Sequence, residues 1–344
     1  MANMKDIAQK AGVSVATVSK VLNGLGGISQ KTTQEILSIA KELNYRPNLY
    51  ARNLKTKQSH TIGIIIEDMT VFNAPPIIDG IGACCESRGY HYLLENLRLY
   101  KLGIDPLLEI DDHSVIVKEA VDFMMSMQVD GLIYLSCHSH KVLHLLSIKD
   151  THFVCTYCSC IDPSVPSVLY NDTKAGYDVA KYLIGKGHTK IGVISGPAMS
   201  SHSLKRLTGY QEAMYDCSIP YNPKLTVRGD WSQDSGYELA GQLLKDGVTA
   251  IFAQNDIMAM GVIDYCMQNS IEVGRDLALI GFDNREISTV CRPTLSTVEL
   301  PLYDIGYTSA SVLIDKVENK PSKVSGEILL ECNIIERESS LFSK

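Results

Sequence analysis

The sequence predicts two kinds of structure in one chain: a small all-α head at the start, and then an α/β body arranged in two lobes. Three observations support this prediction. Apolar residues recur at helical spacing in the first 45 residues, and after Ser59 continuous apolar segments alternate with amphipathic helices. The charge also changes sign. Residues 1–60 contain nine basic and three acidic side chains, a net +6, whereas the whole chain carries −7, so the other 284 residues carry −13.

Three short helices are predicted in the head, and each follows a residue that can cap its first turn. Gly12 permits a tight turn between the first helix, over Met4–Ala11, and the second, which places Val18, Val21 and Leu22 on one face. The capping residues are Asn3, Ser14 and Ser29, and the apolar stripe of the third helix is Ile36, Ile39, Ala40 and Leu43. Two helices joined in this way form a helix-turn-helix, in which early residues of the second helix meet base edges in the major groove of DNA.

The charge of the head favours DNA binding over the alternative, which is a three-helix subdomain that packs on the rest of the chain. Basic side chains attract phosphates in a salt-dependent manner, whereas the acidic body is repelled by DNA. The sequence pI of about 5.7 hides this asymmetry, because it averages the two parts.

Composition limits the remaining function classes. We find no apolar segment long enough to span a membrane and no N-terminal apolar signal region, so the ten cysteines are expected as reduced thiols in the cytoplasm. The sequence contains no glycine-rich phosphate loop after a strand, no Gly-x-Ser-x-Gly motif and no paired-histidine metal motif. We therefore expect neither an enzyme nor a membrane partner, and no cofactor or bound metal.

The body is predicted as two successive sets of strands and helices. The first set has strands Thr61–Glu67, Tyr90–Glu95, Gly131–Ser136 and Phe153–Tyr157 and helices Ile77–Gly89 and Val115–Gln128. The second has strands Lys190–Ser195, Leu225–Val227, Ala250–Ala253 and Leu277–Phe282 and helices Lys174–Lys186, Leu204–Asp216, Asp234–Lys245 and Asp256–Asn269. This alternation indicates two Rossmann-like lobes with parallel sheets, whose ligands bind at the carboxyl ends of the strands, in the cleft.

The chain resembles the LacI/GalR family of bacterial transcriptional regulators over nearly its whole length. The resemblance depends on the order and spacing of several short sequence segments rather than on any one motif. The segments are Asp6–Ala8, Gly12–Ser14, Thr17–Asn23, Asn44–Asn48, Ala51–Lys57, Gly187-His188, Ile191–Gly196, Asn255-Asp256 and Ile280–Asp283. The family fold implies a helix-turn-helix head and a body like the periplasmic binding proteins, with two lobes joined by three crossovers.

The resemblance implies a division of the chain into a DNA-binding domain over residues 1–47, a hinge helix over 48–58 and a body over 59–344. Lobe 1 is expected at about 61–162 and 293–323, and lobe 2 at about 164–291 and 326–344. The crossovers between the lobes are expected near Ile161–Pro166, Val290–Thr294 and Ser322–Gly326.

By the same resemblance, Val15 and Ala16 occupy the main base-reading positions, and Lys20 lies beside them. Valine and alanine offer apolar contact, such as with a thymine methyl group, and lysine can reach guanine acceptors or a phosphate. The residues expected to contact phosphates are Thr17, Ser19 and Asn23.

The linker resembles the family's hinge helix. Leu54, with Lys55 beside it, matches the leucine that the family inserts into the minor groove at the operator centre. Such an insertion unstacks a base step and kinks the duplex. The alternative for Leu54 is a packing role in a linker helix.

The resemblance also implies a ligand site in the cleft. The expected site residues are Asn73, Tyr157, Leu204, Trp231, Asp256 and Asp283. Asp283 ends a strand and matches the family's ligand-binding aspartate. The alternative for Asp256 and its neighbour Asn255 is helix capping, and the alternative for Trp231 is a place in the core.

Several of these positions depart from the family pattern. Leu204 stands where most members carry a ligand-gripping arginine, and Arg206 matches a more structural arginine. Asn73 and Ala74 replace an aromatic pair, and Tyr157 replaces an aspartate. Because a polar ligand would lose its bidentate clamp, we predict a ligand that is more apolar or differently charged than a typical sugar, or a body that needs no ligand.

One cysteine cluster offers a separate hypothesis. His152, Cys155, Cys158 and Cys160 are close in sequence, and thiolates and imidazole suit zinc. Alternate residues of a strand face opposite sides, however, so Cys155 and Cys158 are not expected to share a face. A metal or redox role therefore remains an alternative to small buried apolar residues, which we favour.

The sequence thus predicts a transcriptional regulator, a repressor in the first instance, that binds a pseudo-palindromic operator as a homodimer. A small molecule of unknown identity is expected in the cleft and would alter DNA affinity from there. Two alternatives are a solute-binding protein of the same two-lobed fold and a regulator controlled by a protein corepressor instead of a small ligand.

Overall fold

The computed structural model describes residues 2–22, 24–45, 58–104, 114–142, 151–320 and 325–341. The chain divides into two compact units, Met1–Ser59 and His60–Lys344, which we call the head and the body. The predicted hinge helix falls almost entirely outside the described residues, as do Asn23, Leu54 and Lys55. Among the helices that are described, none combines the length and the apolar character needed to cross a membrane.

The head contains the three predicted helices, α1 (Met4–Lys10), α2 (Val15–Leu22) and α3 (Gln30–Glu42). Each predicted cap is present. The side chain of Asn3 accepts from the amides of Lys5 and Asp6, while Asp6 accepts in return from the amide of Asn3, which forms a capping box. The hydroxyls of Ser14 and Ser29 accept from backbone amides three residues later. The buried core residues are Ile7, Ala8, Val18, Val21, Ile36, Ile39 and Ala40.

The body begins with a six-stranded parallel sheet in the order β13-β7-β5-β3-β1-β2. Its strands are β1 (Thr61–Ile66), β2 (His91–Asn96), β3 (Gly131–Leu135), β5 (His152–Thr156), β7 (Ser167–Tyr170) and β13 (Glu327–Leu330). The helices that cover it are α4 (Ala74–Arg88) and α11 (Leu302–Val317) on one face and α5 (Ser114–Ser126) on the other. Helices α4 and α11 approach so closely that a Cβ on Gly80 would lie 2.0 Å from the carbonyl oxygen of Tyr303.

A second parallel sheet has the order β11-β10-β8-β9. Its strands are β8 (Ile191–Ser195), β9 (Thr226–Arg228), β10 (Ala250–Ala253) and β11 (Ala278–Ile280). Its helices are α6 (Asp172–Gly185) and α7 (Ser201–Asp216) on one face and α8 (Gln233–Lys245) and α9 (Asp256–Gln268) on the other. The small elements are the parallel pair β4 (Lys141–Val142) and β6 (Ser159–Cys160), the antiparallel pair β12 (Thr297–Glu299) and β14 (Asn333–Ile335), and helix α10 (Ile287–Val290).

The all-α head and the two-lobed α/β body confirm the predicted fold class, but the predicted crossovers are wrong. Strands β7 and β13 pair with each other in the first sheet, so the chain leaves lobe 1 only after Tyr170 and, the last time, after Leu330. The middle crossover lies near Pro301, because β12 pairs with β14 while α11 covers the first sheet. Within the body, lobe 1 therefore comprises the described residues between 60 and 170 and between 302 and 330, and lobe 2 comprises the described remainder.

Most predicted elements are present within a few residues of their expected bounds. No helix was predicted for Leu302–Val317, and no strand for the short segments that form β7, β12, β13 and β14. These strands are three or four residues long, and each gains its backbone partners from segments distant in sequence. Their local pattern is too short to distinguish a strand from a loop.

Candidate functional site

In the head, the predicted base-reading positions lie on the exposed side of α2. Val15 is 40% exposed, and Ala16 and Lys20 are also exposed, whereas Val18 and Val21 are buried in the core. Thr17 and Ser19 are half-buried, and the hydroxyl of Thr17 lies 2.9 Å from that of Ser14. An apolar residue as exposed as Val15 contributes little to the fold, so α2 presents side chains that are free to meet another surface.

In the body, both lobes line one cavity of about 190 Å³. It lies at the carboxyl ends of the parallel strands, where ligands of such sheets bind. The lining residues from lobe 1 are Val71, Phe72, Asn73, Tyr100, Cys137, His138 and Tyr157. Those from lobe 2 are His202, Arg206, Trp231, Asn255, Asp283 and Arg285. Four of the six predicted ligand residues are therefore brought together: Asn73, Tyr157, Trp231 and Asp283.

Arg206 is the central cation of this cavity and is only 3% exposed. Its Nε donates to Oδ1 of Asp172 at 2.8 Å, its Nη2 donates to the hydroxyl of Tyr170 at 2.7 Å, and its Nη1 donates to the carbonyl of Gln254. Its guanidinium carbon lies 3.6 Å from the centre of the Phe282 ring. Burial alone would raise the pKa of Asp172, but interactions with His202 and Arg206 hold that pKa below its usual value.

Leu204 does not reach the cavity, which corrects the predicted departure from the family pattern. It is 55% exposed on the outer side of α7, while Arg206, two residues further on, is buried in the cavity wall. Successive helical residues are rotated by about 100°, so positions two apart point in nearly opposite directions. An arginine is therefore present in the cavity, although most of its donors already serve the protein.

Asp283 faces the cavity without a close ionic partner. Its Oδ1 lies 4.0 Å from Nη2 of Arg206, which is too long for a hydrogen bond, and its side chain is 9% exposed. Burial raises the pKa of Asp283 to about 8, and the positive charge of Arg206 offsets this only in part. Its backbone has a φ of 103°, a conformation that is uncommon outside glycine and that clusters at functional sites.

Asn73, Tyr157 and Trp231 supply the remaining predicted contacts. The amide nitrogen of Asn73 donates to the carbonyl of Cys137, but its buried Oδ1 has no hydrogen-bond partner among the described residues. Trp231 lies against Gly196, where a Cβ would come within 2.1 Å of the indole ring. Trp231 and Tyr157 both have positive φ and both line the cavity. The tryptophan thus packs on the lobe and also faces the candidate ligand space.

Asp256 is not among the cavity residues, which corrects a second predicted site residue. It is fully buried, and its carboxylate accepts from the hydroxyl of Thr297 and from the backbone amide of Arg285. Burial raises the pKa of Asp256 to about 6. Its neighbour Asn255 has two roles, because its Oδ1 caps α9 through the amide of Met258 and its side chain also lines the cavity.

The cysteine cluster differs from its prediction in geometry. The chain turns at Tyr157, where φ is 64°, and Cys155 and Cys158 lie in the same buried apolar cluster, against which Cys160 packs. Hydrogen bonding with Cys158, together with burial, raises the pKa of Cys155, and burial raises that of Cys158. Such thiols are poor nucleophiles, because the thiolate is the reactive form. Across the described ranges, no three His, Cys, Asp or Glu side chains are placed to hold a metal ion.

Besides Arg206, seven cavity residues were not predicted: Val71, Phe72, Tyr100, Cys137, His138, His202 and Arg285. Arg285 and Phe72 come from opposite lobes, and the guanidinium carbon lies 5.0 Å from the ring centre. For His202 a signal existed, because it precedes Arg206 by one helical turn, and two polar residues on the same face of a partly apolar helix indicate a buried polar site.

Two family models match this chain. One, described as "Bacterial regulatory proteins, lacI family", matches residues 3–48, and the other, described as "Periplasmic binding protein-like domain", matches residues 180–340. These matches fall on the head and on a large part of the body, respectively.

Relatives of similar length match along the whole chain. Catabolite control protein A of Priestia megaterium is 32% identical over 340 residues, which cover 97% of this chain and 98% of that protein. The HTH-type transcriptional repressor CytR of Escherichia coli (strain K12) is 30% identical over 345 residues, covering 98% and 96%. Among solved structures, a lac repressor dimer bound to operator and the anti-inducer ONPF is 25% identical, with a TM-score of 0.81 and 99% of each chain covered.

Proposed function

Because this chain belongs to the LacI family of bacterial transcriptional regulators, we propose that it acts as a homodimer on a pseudo-palindromic operator and responds to a small molecule bound between its lobes. The family establishes that the protein is a DNA-binding regulator and not an enzyme. The observation that best supports the finer proposal is the cavity lined from both lobes. A ligand there contacts both lobes and can favour one arrangement of the lobes over another. Operator DNA also implies a cytoplasmic location.

The dimer is proposed from the symmetry of operator recognition. A single head reads only one half-site, and two heads related by a twofold axis match a pseudo-palindrome. The similar lac repressor is described as a dimer on its operator. With a chain mass of 37.9 kDa, sedimentation of the intact protein is expected to give about twice that mass. A monomer with full operator affinity would contradict the dimer.

The ligand is proposed to be small and uncharged, with one flat or apolar face and several hydrogen-bond donors. Phe72, Tyr157 and Trp231 offer aromatic surface, and the carboxyl of Asp283 and Oδ1 of Asn73 can accept hydrogen bonds. The cavity of about 190 Å³ is smaller than the typical 300–1,000 Å³ of drug-sized sites. Arg206 uses its Nε and Nη2 for Asp172 and Tyr170, so these two groups are not available for a bidentate clamp on an anionic ligand.

The first experiment is to sequence genomic DNA fragments bound by the purified full-length protein at near-physiological salt. A recovered pseudo-palindrome is the expected result, and the genes beside it would narrow the choice of ligands for thermal-shift measurements. If no sequence is enriched, even when cell extract is added to supply a corepressor, the operator proposal is wrong.

Substitution of the hinge residue Leu54 tests the operator proposal most directly. If Leu54 inserts into the operator, Leu54→Ala should lose affinity for the operator by about 1–3 kcal/mol and change non-specific DNA binding much less. Val15→Ala is the matched comparison in α2, because it should alter preference at one base pair instead of weakening binding to all operators. Equal loss by Leu54→Ala on operator and random DNA would contradict the insertion.

A further inference from the structure

The two lobes meet at a short loop of lobe 1 and the first turn of α7 in lobe 2. The loop runs from Ser136 to His140, between β3 and β4. The backbone amide of Ser139 donates to Nε2 of His202 at 3.1 Å, and the carbonyl of Ser139 accepts from the hydroxyl of Ser201 at 2.5 Å. Ser139 and His202 are both buried. A single residue of lobe 1 therefore exchanges two hydrogen bonds with consecutive residues of lobe 2.

The geometry identifies which nitrogen of His202 carries the proton. Since Nε2 accepts from an amide, it must hold a lone pair, and the hydrogen of a neutral ring is then on Nδ1. Nδ1 lies 2.7 Å from Oδ2 of Asp172 and 2.9 Å from the hydroxyl of Tyr170. The other oxygen of this carboxylate, Oδ1, accepts from Nε of Arg206 at 2.8 Å.

The ring of His202 is also fixed in orientation. It stacks on Tyr170 with 5.3 Å between ring centres and an interplanar angle of 3°, and Tyr157 packs at 5.5 Å. Tyr170 is the last residue of β7, immediately before the first crossover. His202 thus contacts lobe 1 at two places, at the loop and at the crossover strand.

The loop that carries Ser139 is held equally firmly within lobe 1. The carboxylate of Glu67 is fully buried beneath it and accepts from the hydroxyls of Tyr134 and Ser136 and from the amide of Cys137, at 2.7–2.9 Å. Nε2 of His138 lies 2.8 Å from the hydroxyl of Tyr100. The hydrogen bonds between the lobes therefore join two parts that are already ordered, so little entropy is lost when they form.

We propose that neutral His202 is a positioning residue that holds the two lobes together beside the ligand cavity, by accepting the amide hydrogen of Ser139. His202 and His138, the residue before Ser139, both line the cavity, so a ligand would lie next to the hydrogen bond that joins its two walls. A side chain without an acceptor at this position leaves the Ser139 amide buried and unpaired, which favours separation of the lobes at this contact. The proposal concerns the ligand-free body and does not depend on an operator or a ligand.

Three variants separate this role from simple packing. His202→Leu removes both the acceptor and the donor. His202→Gln keeps an acceptor oxygen and an NH₂ donor group on its side-chain amide, so it should retain the contact with Ser139. Ser201→Ala removes only the second hydrogen bond between the lobes and does not touch Asp172 or Arg206.

The test is hydrogen–deuterium exchange of the Ser139 amide in the full-length protein without DNA or ligand. We expect protection in the wild type, at least about tenfold faster exchange in His202→Leu, and recovery of most of the protection in His202→Gln. Amides of β1 and β8 serve as internal controls and should remain protected. Wild-type exchange of Ser139 in His202→Leu, with both sheets intact, would overturn the proposal.

Two further measurements keep the proposal testable if His202→Leu fails to fold. In the wild type, the ¹⁵N chemical shift of Nε2, assigned by its absence in His202→Gln, should be that of an unprotonated ring nitrogen, and a protonated Nε2 would overturn the proposal. In Ser201→Ala the Ser139 amide should exchange about threefold faster or more, and an unchanged rate would likewise count against it.

Discussion

The head and the body carry their functional side chains in opposite ways. In the head, the core is made by Val18, Val21 and their neighbours, while Val15 and Lys20 project outward and take no part in it. In the body, Arg206 and Asp172 line or support the cavity and are also buried members of a hydrogen-bond network. Recognition by the head can therefore change with little cost in stability, whereas a change in the Arg206–Asp172 network of the cavity also disturbs the fold.

The largest expected effect tests the body. Arg206→Leu leaves the Asp172 carboxylate buried without its main cation, and such a change typically costs about 3–5 kcal/mol of folding free energy. Urea unfolding of the full chain, followed by a probe in the body such as Trp231 fluorescence, measures this loss. The control is Arg275→Leu, because Arg275 makes ion pairs with Glu272 and Asp276 at the exposed surface. Equal urea midpoints for the two variants would show that the buried ion pair contributes no more to stability than the exposed one.

An intermediate effect is expected from the titration of Asp283. Its pKa is raised from its ordinary value to about 8, so the folded state holds this proton more tightly than the unfolded state does. The contribution of this proton to the free energy of unfolding is fully present at low pH and is lost as the pH rises through about 8. Between pH 6 and pH 8, the contribution should fall by up to about 1.4 kcal/mol for each pH unit.

The matched variant for this titration is Asp283→Asn, which cannot ionise. Its unfolding free energy should vary less with pH over that interval than that of the wild type. Asp256, whose pKa is raised to about 6, contributes mainly below this interval and is present in both proteins. Parallel pH profiles for the two proteins would show that Asp283 is ionised in the folded state.

The smallest effect on stability is expected in the head. Lys20→Ala removes an exposed side chain from α2 and should change the unfolding free energy of the head by less than about 0.5 kcal/mol. Operator affinity should nevertheless fall by about 1–3 kcal/mol if the lysine contacts a base. If it contacts a phosphate, the salt dependence of binding should become shallower by about one unit of slope. A large loss of stability would show that a DNA-recognition residue of the head also stabilises its fold, as Arg206 does in the body.

The same contrast explains what the sequence could predict. The caps at Asn3, Ser14 and Ser29 and the apolar stripes of the head lie within a few residues of what they stabilise, so local patterns reveal them. Strands β7 and β13 pair with each other across more than 150 residues, and nothing local marks them as members of the first sheet. The crossovers were misplaced for this reason.

The cavity shows a similar limit. The resemblance predicts four of the cavity residues, because each follows a strand or a recognisable sequence motif. These residues are Asp283, Trp231, Tyr157 and Asn73. Arg206 was assigned a structural role and Leu204 the place in the site, an error of two positions along one helix. On a helix that shift reverses the direction of a side chain, and only the packing of α7 against α6 determines which face is buried.

The late return of the chain to lobe 1 has a consequence for synthesis. Strand β7 is complete at Tyr170, but its neighbour β13 ends at Leu330, and helix α11, which covers the same sheet, also comes after the four-stranded sheet of lobe 2. At about 5–20 residues per second, a ribosome needs roughly 8–30 s to make the intervening 160 residues. During that time the nascent chain exposes an open sheet edge, and one apolar face of the sheet is covered by α4 alone. The four-stranded sheet of lobe 2 is complete in sequence at Ile280, while lobe 1 still lacks β13 and α11, so this is the interval in which a chaperone has most to protect.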